Sequence, residues 1–243
     1  MKLLQRGARQ VEHYQGIPQG GFTGEHEQVV ALLRRHLEPP AEILDTGAWE
    51  GALSLRVHDA GYHVESTDLD PAVFKPREQI HCFPLDLDSY DDRRACAEAR
   101  KAKYDAVLAV EILEHIRDPW GFTAFCMEML KPGGYLLLST PNITSFYSRF
   151  TFFRSGHFHQ FFPEDEIHPG HINPMTSRRL EAMFESLGLR LVEKAPVGTL
   201  PVVWLGNSAG FLLKWAFAGM LAPLMKGDRD GWCLMYLLRK EPR

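Results

Sequence analysis

The chain is expected to fold as an α/β protein: a doubly wound, mostly parallel seven-stranded sheet with helices on both faces and its last strand antiparallel. Three observations carry this. Short apolar runs alternate with amphipathic helical stretches over residues 41–140. One run, Tyr104–Val110, is apolar almost throughout, as a strand covered on both faces is. Several runs end in an acid, and ligands in such sheets bind beyond the C-terminal strand ends.

The elements follow in order. Phe22–Leu37 reads as a helix with Thr23 as cap, Glu25 and Glu27 at its positive end, and Val29, Val30, Leu33 and Leu37 on one face. Pro39-Pro40 stop it. Ala41–Asp45 is the first strand, Gly51–Ala60 a helix closed by Gly61, and Tyr62–Thr67 the second strand. Gln79–Leu85 is the third strand and Ser89–Lys101 a charged helix. After the fourth strand, Tyr104–Val110, Asp118 caps a helix with Pro119 at its first position; Lys131 sits in the last turn and Gly133-Gly134 follow. Tyr135–Thr140 is the fifth strand, Thr176–Leu187 a helix, and Leu189–Lys194 and Trp232–Arg239 the last two strands. The whole of 1–243 reads as one domain, with a helical cap over 1–40, a lid-like insert over 141–174 and an apolar helical insert over 197–228.

Composition narrows the function. Of 243 residues, 45% are hydrophobic and 24% charged, which supplies a sizeable core. A net charge of -4 gives no footprint for general nucleic-acid binding, although it leaves room for RNA read by a local patch. Cys82, Cys96, Cys126 and Cys233 are scattered, without the spacing of a zinc site or a disulfide framework, so a reducing cytoplasm is the simplest setting. Residues 1–10 lack the apolar core of a signal peptide.

The chemistry sits at the strand ends. Asp45-Thr46-Gly47-Ala48-Trp49-Glu50-Gly51 is a glycine-containing turn that lets backbone approach a ligand. Asp68, ahead of Leu69-Asp70, stands where an acid accepts hydrogen bonds from both ribose hydroxyls; Asp70 suits a helix cap before Pro71. Asp86, beside Leu87, stands where a carboxylate accepts from an adenine amino group, or forms an ordinary polar turn. Together these acids describe an adenosine pocket. Trp49 is too bulky for a pyrophosphate pressed on a helix N-terminus, so the ligand lacks phosphates. S-adenosylmethionine (SAM) fits, and Glu111 at the end of the fourth strand faces its positive arm.

The stretch Tyr104-Asp105-Ala106-Val107-Leu108-Ala109-Val110-Glu111-Ile112-Leu113-Glu114-His115-Ile116-Arg117-Asp118-Pro119 resembles the class I SAM-dependent methyltransferases, in particular the ubiquinone-biosynthesis-type O-methyltransferases. Leu130-Lys131-Pro132-Gly133-Gly134-Tyr135 and Ser139-Thr140-Pro141-Asn142 continue the match, within a likeness running over roughly Ile43–Arg239. The resemblance implies a Rossmann-like methyltransferase fold and SAM as cofactor. It places Asp45, Gly47 and Gly51 in the glycine-loop motif, Asp68 at the ribose, Asp86 and Leu87 at the adenine, and Glu111 near the methionine arm. Trp49 stands where the family usually has its second glycine. His115, just past the fourth strand, is the candidate catalytic base, its alternative being a histidine that anchors the loop.

Residues 146–171 are rich in Phe and His, which suits a lid over an apolar or aromatic acceptor. His157/His159 and His168/His171 form pairs that no fixed motif ties to a metal, and no metal is expected. Residues 200–225 form an apolar stretch broken by prolines, glycines and Lys214. It packs over the acceptor site or a dimer partner, or makes a peripheral membrane contact and collects a lipid-like acceptor. The expected activity is methyl transfer to a small-molecule or lipid-like acceptor, at oxygen. An RNA or protein acceptor, an NAD- or nucleotide-sugar-dependent enzyme, and a non-catalytic binding module are the competitors.

Overall fold

The computed structural model describes residues 12–198, 220 and 224–241. In chain order the elements are β1 (His13–Tyr14), β2 (Ile17–Pro18), α1 (Glu25–His36), β3 (Glu42–Thr46), α2 (Ala52–Asp59), β4 (His63–Asp68), β5 (His81–Pro84) and α3 (Tyr90–Arg100). Then come β6 (Tyr104–Val110), α4 (Pro119–Met129), β7 (Leu130–Pro141), α5 (Phe146–Ser155), α6 (Pro163–Ile167), α7 (Ser177–Ser186), β8 (Leu189–Val197) and β9 (Cys233–Lys240). The main sheet has seven strands in the order β5-β4-β3-β6-β7-β9-β8. Its pairs from β5 to β7 are parallel, and β9 runs antiparallel between β7 and β8.

Alternation along the strands builds two cores, because successive side chains leave opposite faces. Val107 and Ala109 of β6, Leu136 and Leu138 of β7, and Tyr236 and Leu238 of β9 meet Phe122, Phe125 and Met129 of α4 and Leu180, Met183 and Phe184 of α7. Ala106, Leu108, Leu137, Met235 and Leu237 point the other way and meet Val29, Leu32 and Leu33 of α1 and Leu53 and Val57 of α2. Each fully buried aliphatic chain contributes about 1.5–3 kcal/mol. The two layers hold the central strands in register, which fixes their C-terminal tips side by side: Thr46 pairs with Thr67, and Asp45 with Leu108.

Several boundaries differ from the sequence expectation. The first helix is capped by Gly24 at φ 78°, not by Thr23, and the Glu25 carboxylate accepts the Phe22 N–H at 2.9 Å. A left-handed turn costs glycine little, so Gly24 reverses the chain and leaves Thr23 outside. Lys131 is not in the last turn of α4. That helix ends at Met129, and Lys131 lies in β7 with its ammonium 2.8 Å from Asp105. Asp118 and Asp70 cap as expected and Ser89 caps α3, each side chain accepting a backbone N–H. The N-terminal cap is a β-hairpin followed by a helix, rather than helix alone. Its turn residues Gln15 and Gly16 both have positive φ, at 48° and 81°, which matches the twist of paired strands. The lid-like segment contains α5 and α6. Of the apolar insert, residues 199–219 and 221–223 lie outside the described residues.

Gly51 and Gly188 separate two causes of strain. Both have positive φ, 89° and 77°. A Cβ on Gly51 would lie 2.6 Å from Phe74 and Pro76, whereas one on Gly188 meets nothing within 4 Å. Gly188→Ala is expected to cost about 1 kcal/mol from backbone strain alone. Gly51→Ala is expected to cost about 2 kcal/mol more than that through overpacking against buried Phe74. Urea unfolding midpoints of the two variants check the difference.

Candidate functional site

The tips of β3, β4 and β6 open on a cavity of about 650 Å3. Its floor is the turn after β3. Gly47 and Ala48 donate their N–H groups to the Thr67 carbonyl at 2.8 and 3.0 Å, folding the turn across the end of β4. The Asp68 carboxylate accepts the Trp49 N–H at 2.7 Å and the Asp70 N–H at 3.0 Å. Gly47 is at φ 67°, and a Cβ there would sit 2.2 Å from Ile112 Cδ1. Its missing side chain therefore lets the loop after β6 close onto the turn.

Trp49 adopts φ 48°, the left-handed conformation that glycine takes freely. Its ring forms a wall with the N-terminal segment: Trp49 Cε3 lies 3.7 Å from where a Cβ on Gly20 would be. The side chain is 46% exposed, so the indole borders the cavity without filling it.

Acids crowd this end of the sheet. Asp45 is fully buried, and its carboxylate accepts the Ser54 hydroxyl at 2.6 Å, with Ser66 Oγ 3.0 Å behind. Burial pushes its pKa up to about 7; the Ser54 bond opposes this, and the charge of Asp68 adds to it. Glu111, at φ 54°, donates its N–H to Ser139 Oγ at 3.1 Å. The same Ser139 hydroxyl donates to buried Glu25 at 2.7 Å. Glu25, Glu111 and the buried Cys233 thiol each offer an atom within 4.8 Å of the others.

The opposite wall is made by the turn after β6 and the segment after β7. Glu114 is fully buried and accepts the Thr140 hydroxyl at 3.1 Å. Its backbone carbonyl accepts the Ile172 and Asn173 N–H groups at 2.9 and 3.0 Å, which clamps the segment onto the turn. His115 Nδ1 lies 3.1 Å from the Gly170 carbonyl, and its ring meets that of His171 edge-on at 4.8 Å. Burial, then the neighbouring His171, lowers the His115 pKa, so the ring is neutral at physiological pH. Glu114, His115 and His171 offer ligand atoms within 4.8 Å of one another, a donor set able to hold a divalent ion.

Of the residues singled out from sequence, Asp45, Gly47, Trp49, Asp68, Leu69, Glu111, His115, His168 and His171 line this one cavity. Gly51, Asp86 and Leu87 do not. Gly51 packs against Phe74 beneath α2. Asp86 accepts the Asp88 N–H at 2.9 Å, the ordinary polar turn weighed for it, and Leu87 packs on the core. The His157 and His159 rings pack on aromatic neighbours, Phe162 for the first and Tyr147 and Trp232 for the second. Sequence reasoning missed Glu114 and His26 as wall residues, together with Gly20 and Gly21. The run Glu111-Ile112-Leu113-Glu114-His115 did carry a signal for Glu114; nothing local marks the others.

A family model described as a methyltransferase domain matches residues 24–194. The chain belongs to that family. It is similar to the ubiquinone biosynthesis O-methyltransferase of Cereibacter sphaeroides, 34% identical over 124 residues, 48% of this chain and 49% of that one. To the protein of the same name from Xanthomonas campestris pv. campestris it is 36% identical over 110 residues, 44% and 45% of the two chains. The chain thus spans about half the length of the curated relatives it matches. Among solved structures, a SAM-dependent methyltransferase from Archaeoglobus fulgidus superposes with a TM-score of 0.56 at 18% identity, over 88% of this chain and 94% of that one. The 1,6-didemethyltoxoflavin-N1-methyltransferase of Burkholderia thailandensis, solved with S-adenosylhomocysteine, gives 0.54 at 17% identity, over 89% and 78%. At these identities the structural likeness establishes the fold.

Asp45 makes the stability of the fold depend on pH. An unfolded aspartate titrates near 4. A carboxyl raised on folding stabilises the folded chain below that value and loses its contribution as pH climbs through about 7. Asp45→Asn cannot ionise and still accepts from Ser54. Its stability relative to wild type is expected to rise between pH 5 and pH 8, by on the order of a few kcal/mol. Paired urea titrations at the two pH values measure this; a constant difference would refute it.

Proposed function

We propose that the chain transfers a methyl group from SAM to an oxygen of a small-molecule or lipid-like acceptor. One observation carries the reading: a single cavity of about 650 Å3 joins the acid-tipped glycine turn to the wall bearing Glu114 and His115. That volume suits a cofactor with an acceptor beside it. The residues fit the adenosyl group. Asp68 sits at the tip of β4 with both oxygens oriented by backbone N–H groups, and its remaining lone pairs suit the two ribose hydroxyls. Asp45 and Glu111 make the adjoining wall acidic, which suits a cationic sulfonium. Once bound, SAM supplies a methyl group on positive sulfur, ready for in-line displacement.

The chain's own part is alignment and proton handling. His115, neutral and held by the Gly170 carbonyl, takes the proton of an acceptor hydroxyl. The adjacent His171 ring disfavours the charged form, so the proton is returned to solvent readily. His168 and Pro169 line that side of the cavity. Exposed Phe152, Phe153 and Ile167 on the lid-like segment support an acceptor drawn from an apolar surface. No helix among the described residues is long and apolar enough to cross a membrane. The expected contact through 200–225 falls largely outside the described residues.

Calorimetry with S-adenosylhomocysteine and transfer of labelled methyl into cell extract test the reading. Asp68→Ala is expected to weaken S-adenosylhomocysteine at least about a hundredfold, two charge-assisted bonds being lost. His115→Ala is expected to lower turnover about a hundredfold and leave that affinity within about twofold. Unchanged turnover would end the assignment of the proton to His115. Flotation of the full chain with liposomes checks the lipid-like acceptor, and no flotation at any anionic lipid content would count against it.

A further inference from the structure

Trp49 places a large ring where the backbone suits glycine. Among the described residues five non-glycine residues have positive φ, and two of them, Trp49 and Glu111, border the cavity. Conformations of this kind gather at functional sites. The fold gains little from the tryptophan side chain. Its bond to Asp68 is made by the backbone N–H, so glycine at this position would make the same bond without strain. The indole is half-exposed, so it buries little apolar area, and its open part faces the cavity. The use of the ring therefore lies with what the cavity holds.

The ring stands between Asp68 and Glu111. Its residue is tied to the Asp68 carboxylate, the ribose end of the adenosyl reading. Its Cε3 lies 3.7 Å from where a Cβ on Gly20 would be, and a Cβ on the next residue, Gly21, would lie 3.7 Å from Glu111 Cγ. In SAM the sulfur is joined directly to the ribose C5′ carbon and separates the ribose from the rest of the donor. An indole face carries negative charge density and attracts a cation more strongly than the other side-chain rings do. A neutral thioether gains nothing of this kind. We propose that Trp49 determines charge specificity: its indole face takes the sulfonium of the donor, so the cavity holds SAM in preference to the neutral product, S-adenosylhomocysteine. Transfer breaks the S–CH3 bond, leaves its electron pair on sulfur and forms the O–CH3 bond, the acceptor's proton passing to His115. The charge facing the ring is lost in that step, which favours product release. This rests on the adenosyl reading of the cavity given above. Asp45 and Glu111 add to the same preference. Substitution at Trp49 leaves both acids in place, so it isolates the share of the ring.

The test compares SAM with S-adenosylhomocysteine by calorimetry on the full chain. Trp49→Leu keeps apolar bulk and the same backbone demand but removes the π face. It is expected to weaken SAM about fivefold and leave S-adenosylhomocysteine within about twofold. The second ligand also reports that the variant has folded with its cavity intact. Trp49→Phe, which keeps a smaller π face, is expected to recover part of the loss. Equal weakening of both ligands in Trp49→Leu, or of neither, would overturn the role of the ring while the adenosyl reading stands. So would a loss in Trp49→Phe as large as in Trp49→Leu. Binding of neither ligand by wild type would overturn both.

Discussion

The Asp68 carboxylate holds the Trp49 N–H at 2.7 Å, and the floor of the cavity depends on that contact. Trp49 is in a left-handed conformation that costs a non-glycine residue about 1–2 kcal/mol. A hydrogen bond to a charged group contributes about 1.5–3 kcal/mol, enough to offset it. The contact also joins two tips that the sheet only sets side by side, the end of β4 and the turn after β3. With the turn pinned, Gly47 meets Ile112 and the loop after β6 closes, which brings Glu111 and His115 to the same cavity.

Charge at this end of the sheet is one-sided. Asp45, Asp68, Glu111 and Glu114 line one space, and Glu25 lies just behind it. The fold tolerates them by supplying donors: Ser54 for Asp45, backbone N–H groups for Asp68, Ser139 for Glu25 and Glu111, and Thr140 for Glu114. Asp45, wholly buried and next to Asp68, responds by holding its proton toward neutral pH. An acidic, partly desolvated cavity favours a cationic ligand and disfavours phosphates, the same exclusion reached from the bulk of Trp49.

How far the sequence could be read depended on whether its signals were local. Asp118 and Asp70 were legible as caps because a cap is decided within four residues. Thr23 misled because Gly24, one residue on, offers a left-handed turn that competes with a hydroxyl cap. Lys131 misled because its partner is Asp105 on the neighbouring strand, so the helix-end rule did not govern it. Asp86 showed an acid at a strand end, and there its carboxylate accepts the Asp88 N–H within its own turn.

The sequence by itself determined the α/β alternation, the buried central strand and the run of acids after successive strands, because hydrophobic periodicity and turn chemistry act over a few residues. Only the tertiary structure decided that β9 inserts between β7 and β8 and that His171 comes to His115 from 56 positions along the chain. It also decided that the hairpin and α1 carry His26 into the cavity wall. These are pairings between distant segments, set by the packing of two cores on one sheet, and no local pattern encodes them.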